Sequence, residues 1–150
     1  PVITKTEMEL KAQTSAPLTV REQLPVVRKY QNSKGNWIFD FGQNFSGIVR
    51  LKVRGYGGHK VTMKPGELLE KDSTVNQRAS GGPYFWSYTL SGKGVEEWRP
   101  QFTYYGFRYV EVSGAEKLEL IELEGMHTTN SALEVGHFLA LCRCLIRYMN

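Results

Sequence analysis

The stretch 48–54 constrains this chain more than any other. Val49, Leu51 and Val53 alternate there with Arg50, Lys52 and Arg54, and successive side chains of a β-strand point to opposite faces. One face of this strand lies against a core and the other against water, as in a half-buried antiparallel sheet. A basic row would also suit a phosphate track, but a charged outer strand face has the same pattern and is far commoner.

Period-two patterning runs from residue 25 to residue 124. Further strands are predicted at 25–30, 36–41, 59–63, 84–90, 103–112 and 117–123, parted by glycine-containing turns at 55–58, 91–94 and 113–114. Short strands at this spacing predict an all-β fold, an antiparallel β-sandwich. Residues 66–71 fit one helical turn. Towards the end of the chain Leu133, Phe138, Leu141, Leu145 and Tyr148 recur at three- to five-residue intervals, which predicts a short C-terminal helical segment. Its apolar stripe must pack on the sheet, on another domain or, through self-association, on a second copy. The expected organisation is one or more N-terminal lead-in strands over 1–24, the sandwich over 25–125, and a linker and helix over 126–150.

A chain of 150 residues buries roughly two-thirds of its unfolded surface and needs no disulfide or metal to hold it together. Cys142 and Cys144 are two apart, a spacing that strains a mutual bridge, and with His59, His127 and His137 they do not supply a spaced set of four ligands. No metal or cofactor is expected. The net charge of +4 is carried by singly spread basic residues, which gives no nucleic-acid or membrane-surface footprint. Lys5, Glu7 and Glu9 occupy the place of an export signal's apolar run, and Arg143 stops the apolar stretch 138–142. Neither a signal nor a membrane span is expected in this chain, and the compartment is left open.

Hydrolytic chemistry needs a positioned pair of groups. Asp40, Glu67, Glu70, Asp72, Glu96 and Glu97 stand near turns or aromatic residues. None has a context that would desolvate one carboxylate and leave its neighbour ionised. Ser46 lacks a nucleophile elbow, so no catalytic residue is assigned. What remains is a set of the kind that binds sugars: Trp37, Asp40, Gln43 and Asn44 in one segment, with Arg78 and Trp86, and beside them Tyr84 and Trp98. Aromatic faces take a sugar's C–H surface, and amides or carboxylates take its hydroxyls. The competing reading places Trp37, Phe39 and Phe41, and likewise Tyr84, Trp86 and Tyr88, in the core, because aromatics at period two more often pack than bind.

The run Phe39-Asp40-Phe41-Gly42-Gln43-Asn44-Phe45-Ser46-Gly47, followed by 49–55, closely resembles a segment of bacterial α-L-rhamnosidases. Gly66-Glu67-Leu68-Leu69 and Tyr88-Thr89-Leu90-Ser91-Gly92 match in order and spacing. The strongest likeness is Trp98-Arg99-Pro100-Gln101-Phe102-Thr103-Tyr104-Tyr105-Gly106-Phe107-Arg108-Tyr109-Val110-Glu111-Val112, similar to that family's Pro-x-Phe-Thr-aromatic-x-Gly-Phe-Arg-Tyr motif. The resemblance implies a jelly-roll or concanavalin-like sandwich that precedes an (α/α)6 barrel hydrolysing terminal α-L-rhamnosides with inversion. The family's acid and base lie in that barrel, so it implies a non-catalytic domain whose partner is the barrel. The alternative is an autonomous module that binds rhamnose-containing glycans. Residues 134–138 resemble the linker into the barrel, whereas 139–150 depart from it and suggest a truncated start of the catalytic domain. Within the motifs, Asp40 and Asn44 are expected to bond backbone amides. Gly106 is expected to mark a bulge or tight crossing, and Arg108 to snorkel from the sheet or to pair with Glu111 or a neighbouring domain.

Overall fold

The strand that carries the 48–54 alternation is longer than its pattern announces. In the computed structural model, which describes residues 11–116, 118–133 and 135–136, it runs without interruption over Trp37–Arg54. In chain order the elements are β1 (Leu18–Leu24), β2 (Arg28–Gln31), β3 (Trp37–Arg54), β4 (Lys60–Gly66), β5 (Leu68–Leu69), β6 (Val75–Asn76), a 3-10 turn (Arg78–Ser80), β7 (Trp86–Thr89), β8 (Val95–Trp98), β9 (Tyr105–Ser113) and β10 (Glu119–Asn130). The main sheet has the order β1-β10-β3-β9-β4-β7, with β2 and β8 also on β3, and β5 pairs separately with β6. The expected all-β antiparallel architecture is therefore present.

Because β3 is long, it serves two sets of neighbours. Residues 37–40 pair with β2 on one edge, and 37–47 pair with β9 on the other. Gly47 lies opposite Tyr105 of β9 and His127 of β10. Past that point β10 takes over the edge that β2 leaves, and β8 pairs with 51–54 on the edge that β9 leaves. The changeover demands close approach, and at Gly47 an added Cβ would overlap the carbonyl of Met126. Between the two parts the register jumps from Asp40 opposite Tyr109 to Phe45 opposite Phe107. This bulge explains why the sequence reads as two strands, since the alternation breaks where residues 41–44 of β3 leave the ladder and the phase changes.

The core follows the alternation. Val49, Leu51 and Val53 are fully buried and cluster with Phe41, Phe45, Val61, Met63, Trp86, Phe107, Val110 and Leu123. Three phenylalanines interlock edge to face or tilted: Phe41 with Phe107 at 5.8 Å, and Phe45 with Phe107 at 4.4 Å. On the wet face Arg50 is ringed by Glu97, Glu122 and Glu124, and Arg54 pairs with Glu119. The basic row is thus matched by carboxylates from β8 and β10, which removes the reading as a phosphate track.

Near Trp37 the strand behaves differently, because Ile38 and Phe39 are adjacent and both buried. Both faces of the sheet are covered here. Phe39 faces the main core, whereas Ile38 shares its face with Glu111 and Lys64 through the cross-strand register. That second face is closed by the connection between β4 and β7.

The helical turn expected over 66–71 is not formed. Leu68 and Leu69 instead pair with Asn76 and Val75, because Gly66 closes β4 and the turn at 70–74 folds the chain straight back. Arg78–Ser80 is the only helical element among the described residues. Most of the C-terminal apolar stripe lies outside them, and Leu133, the stripe residue that is described, is exposed and belongs to no helix. The described residues divide into one unit over Leu18–Thr129 and a second made of the chain ends. Within the second, Ser131 N donates to Pro17 O at 3.0 Å, and Ala132 N to Asn130 Oδ1 at 2.7 Å.

Candidate functional site: an aromatic cleft under a pinned loop

The connection 67–85 has little apolar material of its own, and buried polar groups hold it. Glu111 projects from β9 under the loop and is 7% exposed. Its Oε1 accepts from Asn32 Nδ2 at 3.0 Å and Asn36 Nδ2 at 2.7 Å, and its Oε2 accepts from the backbone N–H of Val75 at 3.0 Å. Lys64 donates to the Val75 carbonyl at 2.8 Å. Further along, buried Gln77 donates to the carbonyls of Pro65 at 2.6 Å and Tyr84 at 2.9 Å, and accepts from Tyr84 N at 3.2 Å. One side-chain amide does the work of a strand partner here. Asp72 closes the turn by accepting from the N–H and hydroxyl of Thr74, bonds that lower its pKa. Polar networks satisfied in this way fix a loop more rigidly than its apolar contacts would.

The pinned loop delivers Tyr84 onto Tyr105, with ring centroids 4.1 Å apart and planes inclined by 18°. Tyr105 also meets Trp86 at 5.4 Å, and Trp86 rests edge-on against Phe107 at 5.6 Å. A column of rings therefore runs from the core to the surface. At its outer end lies a cleft of about 420 Å³ lined by Glu67, Ser80, Tyr84, Tyr104, Tyr105 and Gly106. Glu67 Oε1 accepts from Asn44 Nδ2 at 2.7 Å, which ties the loop to the bulge of β3. Gly106 belongs to this arrangement, because a Cβ there would come within 3.2 Å of the same Glu67 oxygen. Its missing side chain leaves the carboxylate its place, and β9 passes through it in regular register with Ser46, so of the bulge or tight crossing expected from sequence it is the close approach that is found.

The six residues singled out as sugar contacts fall in different surroundings. Asp40 is buried and holds Arg108 through two bonds of 2.8 and 3.1 Å, while its Oδ1 accepts from Gly42 N at 2.8 Å. The Arg108 guanidinium keeps the Asp40 carboxyl below its usual range, helped by the Gly42 amide against the opposing effect of burial. Arg108 thus pairs with Asp40 rather than with Glu111. Trp86 is 4% exposed, and its indole N–H finds no partner among the described residues. Trp37 is half-buried under the ammonium of Lys29, 4.4 Å from its ring centroid. Arg78 is exposed and pairs with Glu70 at 3.4 Å. Gln43 and Asn44 stand exposed on the bulge, and of the six only Asn44 bonds a residue of the cleft. Asn44 reaches Glu67, not the backbone amide expected of it. Trp98 stacks on Tyr88 at 5.4 Å, and the Tyr88 hydroxyl donates to Glu96 at 2.6 Å. With the amides of Ser91 and Gly92, that hydroxyl pulls the Glu96 pKa down to about 2; this carboxylate fastens a turn.

Glu67, Tyr104, Tyr105 and Gly106 were absent from the sugar-contact set, although all four stand inside the family-like motifs. Their signal was motif membership, and strand patterning concealed it. Gln77 carried no such signal, and Glu111, although inside the family-like stretch 98–112, would have a wet face by alternation alone.

Fold and cleft together define an all-β domain built on one curled antiparallel sheet, consistent with a concanavalin-like β-sandwich, with an aromatic cleft beside its central strand. The chain belongs to the bacterial α-L-rhamnosidase family: residues 30–130 match the family's concanavalin-like domain. A Streptomyces avermitilis α-L-rhamnosidase is 38% identical over 109 residues, covering 71% of this chain and 10% of that protein. A Formosa agariphila α-L-rhamnosidase is 32% identical over 133 residues, covering 78% and 14% respectively. Among solved structures, Streptomyces avermitilis α-L-rhamnosidase complexed with L-rhamnose superposes with a TM-score of 0.77 at 32% identity, over 92% of this chain and 14% of that one. The Dictyoglumus thermophilum enzyme gives 0.70 at 30% identity over 80% of this chain and 14% of its own. The chain thus spans between a tenth and a seventh of the length of these relatives.

Proposed function

We propose that this chain supplies the non-catalytic β-sandwich of an α-L-rhamnosidase-like glycoside hydrolase acting on terminal α-L-rhamnosides, with residues 126–150 leading towards its catalytic barrel. The observations that carry this reading are the family match over 30–130 and the alignments with the Streptomyces and Formosa relatives, which cover only 10% and 14% of those proteins. The carboxylates agree with it. Asp40, Asp72, Glu96 and Glu111 are engaged in holding turns and strands. A surface suited to the remainder of such an enzyme lies beside the cleft. Phe102 is fully exposed at φ 60, a left-handed backbone that disfavours a bulky residue, and Phe85 stands more than half exposed.

The test is a graft. Residues 18–129 replace the corresponding sandwich of the Streptomyces avermitilis enzyme, and hydrolysis of p-nitrophenyl α-L-rhamnopyranoside is measured. The graft is expected to be soluble and active, the isolated chain inactive, and Phe102→Glu in the graft to cost stability or activity. An inactive graft beside an active re-insertion of the enzyme's own sandwich would refute the reading. A second reading, a domain that itself binds rhamnose-containing glycans, is favoured by the aromatic cleft.

A further inference from the structure

We infer that the cleft between Glu67 and Tyr104 is a pyranoside-binding site, with Tyr84 and Tyr104 as its apolar platform and the Glu67 carboxylate, held by Asn44, as its hydroxyl acceptor. The inference extends the second reading above, and its choice of a 6-deoxyhexose rests on membership of the rhamnosidase family.

Three independent features converge on this place. The platform is built in advance. Tyr105 contacts Tyr84 at 4.1 Å and Trp86 at 5.4 Å, so Tyr84, half-buried and lining the cleft, ends the column. Tyr104 stands beside it, 53% exposed. An aromatic pair at the rim of a cleft offers the C–H face of a sugar, and the C5 methyl of a deoxyhexose, a surface that water solvates poorly.

The acceptor is also built. Glu67 is exposed and has no cationic partner among the described residues; its one bond is to Asn44. A carboxylate held by one neutral amide keeps Oε2 and the rest of the Oε1 lone pairs for a ligand's adjacent hydroxyls, and Asn44 Oδ1 offers a further acceptor. Gly106 removes the side chain that would press on that oxygen, and Ser80 also lines the cleft.

The loop that carries half of the site is rigid for reasons unconnected with the cleft. Glu111 and Gln77 bond to Val75, Pro65 and Tyr84 beneath it. A site that needs little ordering when a ligand arrives loses less affinity to entropy than a floppy one. Buried polar groups that fasten an exposed loop are understandable if the loop presents residues in a fixed geometry.

The experiment uses the whole 150-residue chain labelled with ¹⁵N and titrated with methyl α-L-rhamnopyranoside. Saturable shifts are expected in the backbone amides of Tyr105 and Gly106 and in the Trp86 indole N–H, while the Trp37 indole stays still. A Kd of about 0.1–10 mM fits one platform and a few hydrogen bonds. Glu67→Gln and Tyr104→Ala, both surface changes that preserve the fold, should each weaken binding at least about fivefold, and Arg78→Ala should leave it unchanged. The proposal fails if the folded chain shows no saturable shifts up to about 50 mM sugar, if the shifts centre on Trp37, or if Glu67→Gln and Tyr104→Ala bind as well as the parent. Binding of methyl α-D-glucopyranoside in preference to the rhamnoside would overturn the deoxyhexose assignment drawn from the family. An inactive graft with intact rhamnoside binding would count against the enzyme-domain reading alone.

Discussion

The two ends of β3 obey different rules. Over 48–54 the strand is half wet: apolar side chains enter the core and basic ones meet glutamates at the surface. Over 37–41 it is buried on both faces, and the second face is closed by the loop through Glu111 and its three donors. The first end is held by apolar area, which is non-directional and tolerates modest repacking. The second is held by hydrogen bonds, which have one geometry and leave stranded polar groups when broken. The candidate site lies at the middle of β3, where Gly106 and Tyr105 pair with Ser46 and Gly47 and Asn44 holds Glu67, under the loop that the second end helps to pin.

Core truncation should break the comparison most heavily. Leu51→Ala, at a fully buried position, is expected to destabilise by about 2–5 kcal/mol. Denaturant unfolding should show it as a lower midpoint, with hydrogen exchange accelerated across the whole sheet. Equal stability would mean that the apolar end does not govern the fold.

Glu111→Ala should act more locally. It strands Asn32, Asn36 and the Val75 amide, each left unpaired at a cost of about 1–3 kcal/mol less whatever water recovers. Exchange should rise first in 67–84, before the 48–54 region responds. Uniform acceleration would erase the distinction between the two ends.

Acid provides a third, smaller probe. Asp40 binds its proton less readily in the fold than in the unfolded chain, because Arg108 and the Gly42 amide favour its charged form. Unfolding therefore takes up a proton, and stability present above the ordinary pKa of 3.8 is lost as pH falls below it. Glu96 acts in the same sense, with its loss extending from 4.5 down to about 2. Asp40→Asn should flatten part of the decline in thermal midpoint between pH 5 and 2 and should cost about 1 kcal/mol at neutral pH, given a half-exposed Arg108. An acid limb unchanged in both Asp40→Asn and Glu96→Gln would show that other carboxylates carry it.

The smallest effect belongs to the surface pair. Arg54 and Glu119 are both more than half exposed, so Arg54→Ala should change stability by less than about 0.5 kcal/mol, and less still in high salt. A larger loss in urea titration would mean that the wet face contributes more than screened ion pairs can.

The sequence by itself determined the strands whose alternation is one-sided, because a half-buried strand writes its two faces as a period of two. Val49, Leu51 and Val53 announced the core in this way, and the ordered motifs announced the family. It could not determine that 36–41 and 48–54 are one strand, since a bulge shifts the phase and reads as a turn. The tertiary structure alone decided the fate of the polar residues. Asp40 became the anchor of Arg108, Glu111 a buried tie, and Glu67 an open acceptor, although all three are carboxylates flanked by apolar or small residues. A carboxylate's role depends on which donors the fold brings to it from distant parts of the chain, and that information is in the register of the sheet rather than in local spacing.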